Sequence, residues 1–207
     1  MRITAIILAS GFGKRFEGNK LLAIYKEKPL IMHIVEKVIR QEFHEVIIVS
    51  QYDEILDLVN ASKHAKSNIK VIKNNTPHKG ISESIKLGIQ EGDCCEAYMF
   101  FVGDMPLIKA ETIEKMLVAF KAFYLNEKSI LCSSYKGQRG NPVIFSAAYK
   151  QELLSLEGDV GGRQVIKKHL SQVATYEVQC EEELFDIDTQ SAYNKLLQGQ
   201  FSFKKCE

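Results

Sequence analysis

This 207-residue sequence lacks a large net charge, a long apolar run and cysteine pairs of the redox or zinc-binding kind. Each absence excludes a class of function. The 27 basic and 26 acidic residues leave a formal net charge of +1, so no overall field attracts nucleic acid or a membrane surface. No apolar run approaches 18 residues, so no segment is predicted to span a membrane. A local cluster of cations must therefore hold any anionic ligand.

Cysteine pairs of the redox or zinc-binding kind are also missing. The five cysteines are odd in number, and the adjacent Cys94 and Cys95 form neither a C-x-x-C motif nor a zinc knuckle. Free thiols are typical of a reducing compartment, and we expect a cytoplasmic protein. The short apolar run at the N-terminus is followed at once by cations, which favours a buried strand over a signal peptide.

Strand-like and helix-like segments alternate along the chain, which predicts an α/β fold of three layers with a mostly parallel sheet. Strands are predicted at 3–8, 45–50, 69–72, 97–102 and 173–178. Helical patterns begin at Pro29 and Asp53 and cover 82–89, 112–123, 151–156, 164–170 and 189–197. The segments 130–133 and 143–145 are predicted to form a small hairpin excursion. We expect one domain over 1–199 and a frayed tail over 200–207.

The loop after the first strand is the most informative segment. Gly11 and Gly13 let the backbone approach an anion closely, and Lys14, Arg15 and Lys20 add three cations within seven positions. The third glycine of a dinucleotide fingerprint is absent, and the spacing does not fit a P-loop. The loop is therefore predicted to cradle phosphates without being either motif. The alternative is a glycine-rich turn with solvated cations.

Candidate metal-binding carboxylates occur at two places later in the sequence. Asp104 comes directly after the strand 97–102, where a buried carboxylate is costly unless a cation or a partner neutralises it. Mg²⁺ usually takes one or two protein carboxylates plus substrate phosphates. Asp186 and Asp188 share one side of an extended segment, so either could be the second ligand. Asp188 or Thr189 could instead cap the last helix.

Six short signatures lie at residues 8–22, 80–88, 103–106, 139–145, 156–163 and 186–193. The first, of the type L-A-[AG]-G-x-[SG]-x-R-M-G-x-x-K-L-L, departs from the pattern at Phe16 and Glu17. R-G-x-P-[VI]-x-F and L-x-G-D-x-G-[AG]-R are the most specific. Together, over residues 3–197, they resemble the nucleotidyltransferases of the molybdenum cofactor, the molybdopterin cytidylyltransferases and guanylyltransferases.

The resemblance implies a Rossmann-like nucleotidyltransferase fold similar to glycosyltransferase A. It also implies a nucleotidyl transfer reaction. A nucleoside triphosphate and a phosphorylated pterin would give a dinucleotide and pyrophosphate with the help of Mg²⁺. By the same resemblance, Arg15, Lys20 and Asp104 are catalytic, and Asp104 and Asp188 hold the metal. The nucleotide would be bound by Leu8, Ala9, Ser10, Gly11, Gly13, Lys14, Arg15, Lys20, Gly80, Ser82, Ser84 and Asp104. The pterin would be bound by Asn141, Pro142, Asp159, Gly161 and Arg163.

Alternatives remain open at several of these positions. Asp159 precedes a short predicted helix and could be its N-cap, and Arg163 could be a surface charge. Ser10 stands where guanylyl enzymes of this family tend to have glycine, and its Cβ would narrow the pocket, which favours CTP over GTP. A sugar-phosphate nucleotidyltransferase is the rival enzyme. A cofactor carrier that inserts the product into a molybdoenzyme partner is the rival that is not an enzyme.

Overall fold

The computed structural model describes residues 1–13, 15–62 and 68–199, and the predicted tail 200–207 lies outside them. The described strands are β1 (Ile3–Ala9), β2 (Ile24–Tyr25), β3 (Lys28–Pro29), β4 (Glu45–Ser50), β5 (Ile69–Lys73), β6 (Ala97–Val102), β7 (Ile130–Tyr135), β8 (Gln138–Ser146) and β9 (Val173–Glu177). The α-helices are α1 (Leu30–Ile39), α2 (Asp53–Ser62), α3 (Ile81–Gln90), α4 (Ala110–Leu125), α5 (Lys150–Leu154), α6 (Arg163–Lys168) and α7 (Gln190–Leu197).

Seven strands form one sheet in the order β5-β4-β1-β6-β8-β7-β9. β1 is an inner strand and pairs in parallel with β4 and β6, so that Leu8 faces Val49 on one side and Val102 on the other. Only β8 runs antiparallel to its neighbours within this sheet. The prediction of a mostly parallel sheet is confirmed.

Alternating side chains of the central strands pack on two separate cores. Ile7 and Phe101 join a core with helices α1, α2 and α4, while Ile6 and Phe100 join a core with α3, α5 and α6. Strands that are apolar on both faces are typical of a sheet covered by helices on both sides. The three-layer α/β architecture is therefore confirmed.

Two hairpins refine the predicted topology. The predicted one forms, and both its strands belong to the main sheet, where Phe100 of β6 faces Val143 of β8. The other, β2–β3, was not predicted. Its turn places Lys26 and Glu27 at φ 44° and 67°, without the glycine or asparagine that normally signals such a turn. Pro29, predicted to begin helix α1, instead pairs with Ile24 and precedes the helix.

Within the described ranges, none of the helices is both long enough and apolar enough to cross a bilayer.

Candidate functional site

A cleft of about 540 Å³ opens at the carboxyl ends of β1 and β6, where ligands of parallel α/β sheets usually bind. Several loops that are distant in sequence meet here. The predicted nucleotide or metal residues that line it are Leu8, Ser10, Gly11, Gly13, Arg15, Lys20, Gly80, Ser84, Asp104 and Asp188. Ala9 and Ser82 are instead buried behind the wall, each 1% exposed. Lys14 lies outside the described residues.

Lys20 lies between two carboxylates at the floor of the cleft. Its Nζ is 2.5 Å from Asp104 Oδ2 and 2.8 Å from Asp188 Oδ1. Burial alone lowers the pKa of Lys20, but the charges and hydrogen bonds of Asp104 and Asp188 outweigh it, so the pKa is raised. Lys20 is therefore a cation at neutral pH.

Backbone contacts bring Asp188 to this place from the far end of the chain. The N–H of Ile187 donates to the carbonyl of Asp104 at 3.0 Å, which fixes the segment before α7 against the loop after β6. Thr189 caps α7, since its side chain accepts from the N–H of Ala192. Because Thr189 performs the capping, the Asp188 carboxylate is left to face the cleft.

The two carboxylates fit a divalent cation. Asp104 Oδ1 is buried and has no hydrogen-bond partner among the described residues, so one oxygen is available to a metal. No group of three or more potential metal-binding side chains occurs in the described part of the chain. An ion held here would complete its shell with phosphate oxygens and water, as Mg²⁺ commonly does.

Asp186 differs from Asp188 in its surroundings. The pKa of Asp186 is raised to about 7, by desolvation and by the charges of Asp104 and Asp188. Asp186 is not part of the cleft wall, whereas Asp188 is. The geometry therefore favours Asp188 as the partner of Asp104.

A second, smaller pocket of about 230 Å³ adjoins the cleft and shares Leu8, Ile81 and Val102 with it. Its floor is apolar, and two exposed arginines, Arg139 and Arg163, lie at its wall. Its other lining residues are Ile85, Phe100, Phe101, Cys132, Gly140, Asn141, Val143, Phe145, Leu153, Gly161, Gly162 and Ile166. This pocket fits a flat, largely apolar group that carries negative charge.

The predicted pterin residues divide between the two pockets. Asn141, Gly161 and Arg163 line the smaller one, and Pro142 is buried beside it. Asp159 instead lines the larger cleft, where its Oδ1 accepts from the N–H of Ile81 at 3.4 Å. Asp159 thus contacts the first residue of α3 rather than capping the short helix that follows it in sequence.

Comparison with known proteins identifies the family. The model of the MobA-like NTP transferase domain matches residues 5–173. The chain belongs to the MobA-like NTP transferase family. The resemblance to the molybdenum cofactor nucleotidyltransferases is confirmed, and the protein is a nucleotidyltransferase.

Relatives of this MobA-like protein differ in how much of the chain they match. A probable molybdenum cofactor guanylyltransferase of Thermococcus gammatolerans is 33% identical over 119 residues, which are 56% of this chain and 55% of that protein. The match thus spans about half the length of that relative. The purine catabolism protein PucB of Bacillus subtilis is 22% identical over 201 residues, 93% of this chain and 94% of PucB.

Solved structures share the fold of this MobA-like chain. The crystal structure of Rv0371c from Mycobacterium tuberculosis has a TM-score of 0.78 at 21% identity, over 96% of this chain and 98% of that one. A second structure of Rv0371c, in complex with manganese, has a TM-score of 0.74 at 20% identity, over 96% of this chain and 99% of that one. At such identities the likeness shows the fold alone.

Some residues of the MobA-like site were not predicted from the sequence. Phe12, Pro77, His78, Lys79 and Gly158 also line the larger cleft. A Cβ on Gly80, which has φ 87°, would lie 2.4 Å from the backbone of Gly158. Glycine is therefore required where these two loops touch. Only the glycine at position 80 signals this contact in the sequence.

Proposed function

We propose that this chain transfers a cytidylyl group from CTP to the phosphate of molybdopterin, giving the cytosine dinucleotide cofactor and pyrophosphate. The observation that carries the proposal is the placement of two adjoining pockets beside one charged centre. The larger is lined by a glycine loop and cations, the smaller by apolar side chains and arginines. Their shared wall includes Val102, two residues before Asp104, and a donor and an acceptor would meet there.

The cations of the cleft bind the triphosphate. Lys20 is held by Asp104 and Asp188, so it presents a fixed charge beside the reacting phosphate. Arg15 is 73% exposed in its side chain and makes only a 3.7 Å contact with Asp188, so it can turn towards the outer phosphates. An arginine fork suits phosphate oxygens, and its weak pairing here leaves it available.

Asp104 and Asp188 would hold the divalent cation. Supporting evidence is the unpartnered Asp104 Oδ1 and the manganese complex of the structural neighbour Rv0371c. When bound, the ion would neutralise charge on the leaving pyrophosphate. We propose Mg²⁺, the usual ion at sites with few carboxylates and a triphosphate.

The acceptor pocket orients the attacking group. Its aromatic floor, which includes Phe100 and Phe145, suits a flat pterin, and Arg139 and Arg163 suit its phosphate. An oxygen of that phosphate bonds to the α-phosphorus of CTP while the bond to the β-phosphate oxygen breaks. Because the attacking oxygen is already anionic, no general base is needed, and catalysis consists of positioning and charge neutralisation.

The proposed preference for CTP over GTP rests on Ser10. Ser10 lines the cleft, and its hydroxyl is fixed by donation to the carbonyl of Val49 at 3.2 Å. A fixed side chain there leaves less room than glycine would, which favours a pyrimidine. The names of several relatives, probable molybdenum cofactor guanylyltransferases, favour GTP instead. GTP is therefore the second candidate.

Pyrophosphate release from the purified protein tests the proposal. Molybdopterin and Mg²⁺ are supplied with CTP, GTP, ATP or UTP in separate reactions. We expect release with CTP and at least tenfold less with GTP, a difference within the ~1–3 kcal/mol that one small side chain contributes to selectivity. Release with GTP alone would replace CTP in the proposal. Tight molybdopterin binding without release from any nucleotide would favour a cofactor carrier.

A further inference from the structure

We propose that Ser50, Gln51 and Tyr52 are positioning residues that hold the glycine loop in its triphosphate-binding conformation. We name these three residues the loop clamp. They begin at Ser50, which belongs to the last pair of the β1–β4 ladder, and they lie outside the six sequence signatures. The proposal rests on the proposed function of the larger cleft, and it adds residues that would act through the loop rather than by touching the nucleotide.

The loop clamp makes three hydrogen bonds to three consecutive carbonyls. Ser50 Oγ donates to the carbonyl of residue 9 at 3.0 Å, and Gln51 Nε2 donates to that of residue 10 at 2.8 Å. Tyr52 Oη donates to the carbonyl of residue 11 at 2.9 Å. Each side chain of the clamp therefore fixes one peptide unit of the loop.

The orientation of these carbonyls decides where the amides point. The C=O and N–H of a trans peptide point in opposite directions, so carbonyls turned towards the clamp turn the following N–H groups away from it. The N–H groups of Gly11 and Phe12 have no protein partner among the described residues, and both residues line the cleft. They are free to donate to an anion, and successive free amides are a known anion-binding arrangement.

Apart from the clamp, the described residues restrain these three peptides little, the hydrogen bond from Ser10 Oγ to the carbonyl of Val49 being the main other contact. The backbone ladder between β1 and β4 ends at Ala9 and Ser50. Gly11 has open space where a Cβ would be, so neither its own side chain nor a neighbour resists rotation of the adjoining peptides. A rotated peptide would present a carbonyl oxygen to the cleft and repel phosphate.

The clamp is itself held together. The N–H of Tyr52 donates to Ser50 Oγ at 3.1 Å, which fixes the hydroxyl that contacts the loop. Burial raises the pKa of Tyr52, so its hydroxyl remains a donor at neutral pH. Helix α2 begins at Asp53, directly after the clamp, and Ile55 and Val59 of α2 are buried in the core. The three side chains thus project from a rigid base.

Calorimetric titration with inorganic tripolyphosphate, CTP and CMP tests the clamp in the presence of Mg²⁺. The test proteins are the wild type, Tyr52→Phe and the triple variant Ser50→Ala, Gln51→Met, Tyr52→Phe. Each lost hydrogen bond should weaken tripolyphosphate and CTP binding about three- to tenfold. The affinity for CMP should change less than twofold, since it lacks the outer phosphates. Tyr124→Phe, at an exposed position near the end of α4, is the matched control and should bind all three probes like the wild type.

The outcomes separate the clamp from the function on which it rests. If the wild type binds CTP and tripolyphosphate and Tyr52→Phe binds them equally well, the clamp is wrong and the proposed function stands. If the wild type binds no triphosphate, both are wrong. Equal weakening of CMP and CTP would mean general damage and would also overturn the clamp. Tyr52→Phe removes only the hydroxyl and keeps the ring. This single variant therefore still tests the clamp if the triple variant does not fold.

Discussion

The two adjoining pockets offer different physical means of binding a ligand. The larger cleft is built from loops at strand ends, and its floor is a cluster of charges around Lys20. The smaller pocket is built from strands β6, β7 and β8 with helices α3 and α6, and its floor is a packed apolar surface. Charge should therefore decide binding in the first, and shape should decide it in the second.

This difference predicts how each pocket responds to substitution. A change in the charged cluster should reduce the rate strongly and stability little, because these groups line the cleft and belong to none of the apolar cores. A change in the apolar floor should reduce stability and acceptor binding together, because the floor is also part of the core that contains Phe100 and Phe145. The predictions below test this contrast, from the largest expected effect to the smallest.

Asp104→Ala should have the largest effect. Removing a ligand of the proposed metal site should lower the rate of pyrophosphate release about 10²–10³-fold, the range typical for loss of one group that stabilises developing charge. Molybdopterin affinity should stay within twofold, because Asp104 does not line the smaller pocket. The checks are single-turnover kinetics and acceptor titration. Retention of more than a tenth of the rate would contradict the assignment.

Lys20→Met should separate metal binding from catalysis. The rate should fall about 10²-fold, because the fixed positive charge at the reacting phosphate is lost. Binding of Mn²⁺ without nucleotide, followed by electron paramagnetic resonance, should become tighter. Lys20 neutralises both Asp104 and Asp188 in the structure, and the variant leaves them as unpaired carboxylates. Weaker Mn²⁺ binding in this variant would show that these carboxylates do not form the metal site.

Adjacent glycines offer a matched pair in the smaller pocket. A Cβ on Gly162 would lie 2.9 Å from Phe145 Cζ, whereas a Cβ on Gly161 would meet nothing closer than 3.8 Å. Gly162→Ala should therefore lower the free energy of unfolding by ~1–3 kcal/mol, the usual cost of overpacking. Gly161→Ala should unfold like the wild type in a urea titration. Equal stability of the two variants would mean that the ring of Phe145 moves freely.

Arg163→Met should have the smallest effect. It should raise the KM for the acceptor about tenfold, as expected for one hydrogen bond to a charged group. The KM for CTP should not change, because Arg163 lines the smaller pocket alone. Lys167→Met, at the other end of α6, is the control. An equal rise in the KM for the acceptor and the KM for CTP would contradict the proposal that the two pockets bind different substrates.

Most of the fold could be predicted from the sequence because its patterns are local. β4 and β6 occur at the predicted bounds, since both are short apolar runs between turn residues. The β2–β3 hairpin was missed because its turn uses Lys26 and Glu27 in place of glycine. The position of β8 between β6 and β7 could not be predicted, because strand order depends on contacts distant in sequence.

The site residues were predictable only where a local sequence pattern, such as a charged residue beside a buried strand, indicates them. Lys20 and Asp104 stand out as charges next to buried strands, and the structure brings them together. The contact of Asp159 with Ile81 joins a loop to the start of α3, 78 residues away in sequence, so no local pattern predicts it. Ser50 and Gln51 carry no charge and match no motif. Their importance becomes visible only when their hydrogen bonds to the glycine loop are known.

Label transfer from nucleotides radioactive at the α- or γ-phosphate tests the central claim most directly. With molybdopterin, Mg²⁺ and the wild-type protein, the α-label of CTP should appear in the pterin product and the γ-label in pyrophosphate. Asp104→Ala should leave both labels in CTP. A γ-label in the pterin product, or its release as orthophosphate, would show a kinase or a hydrolase and would contradict the account.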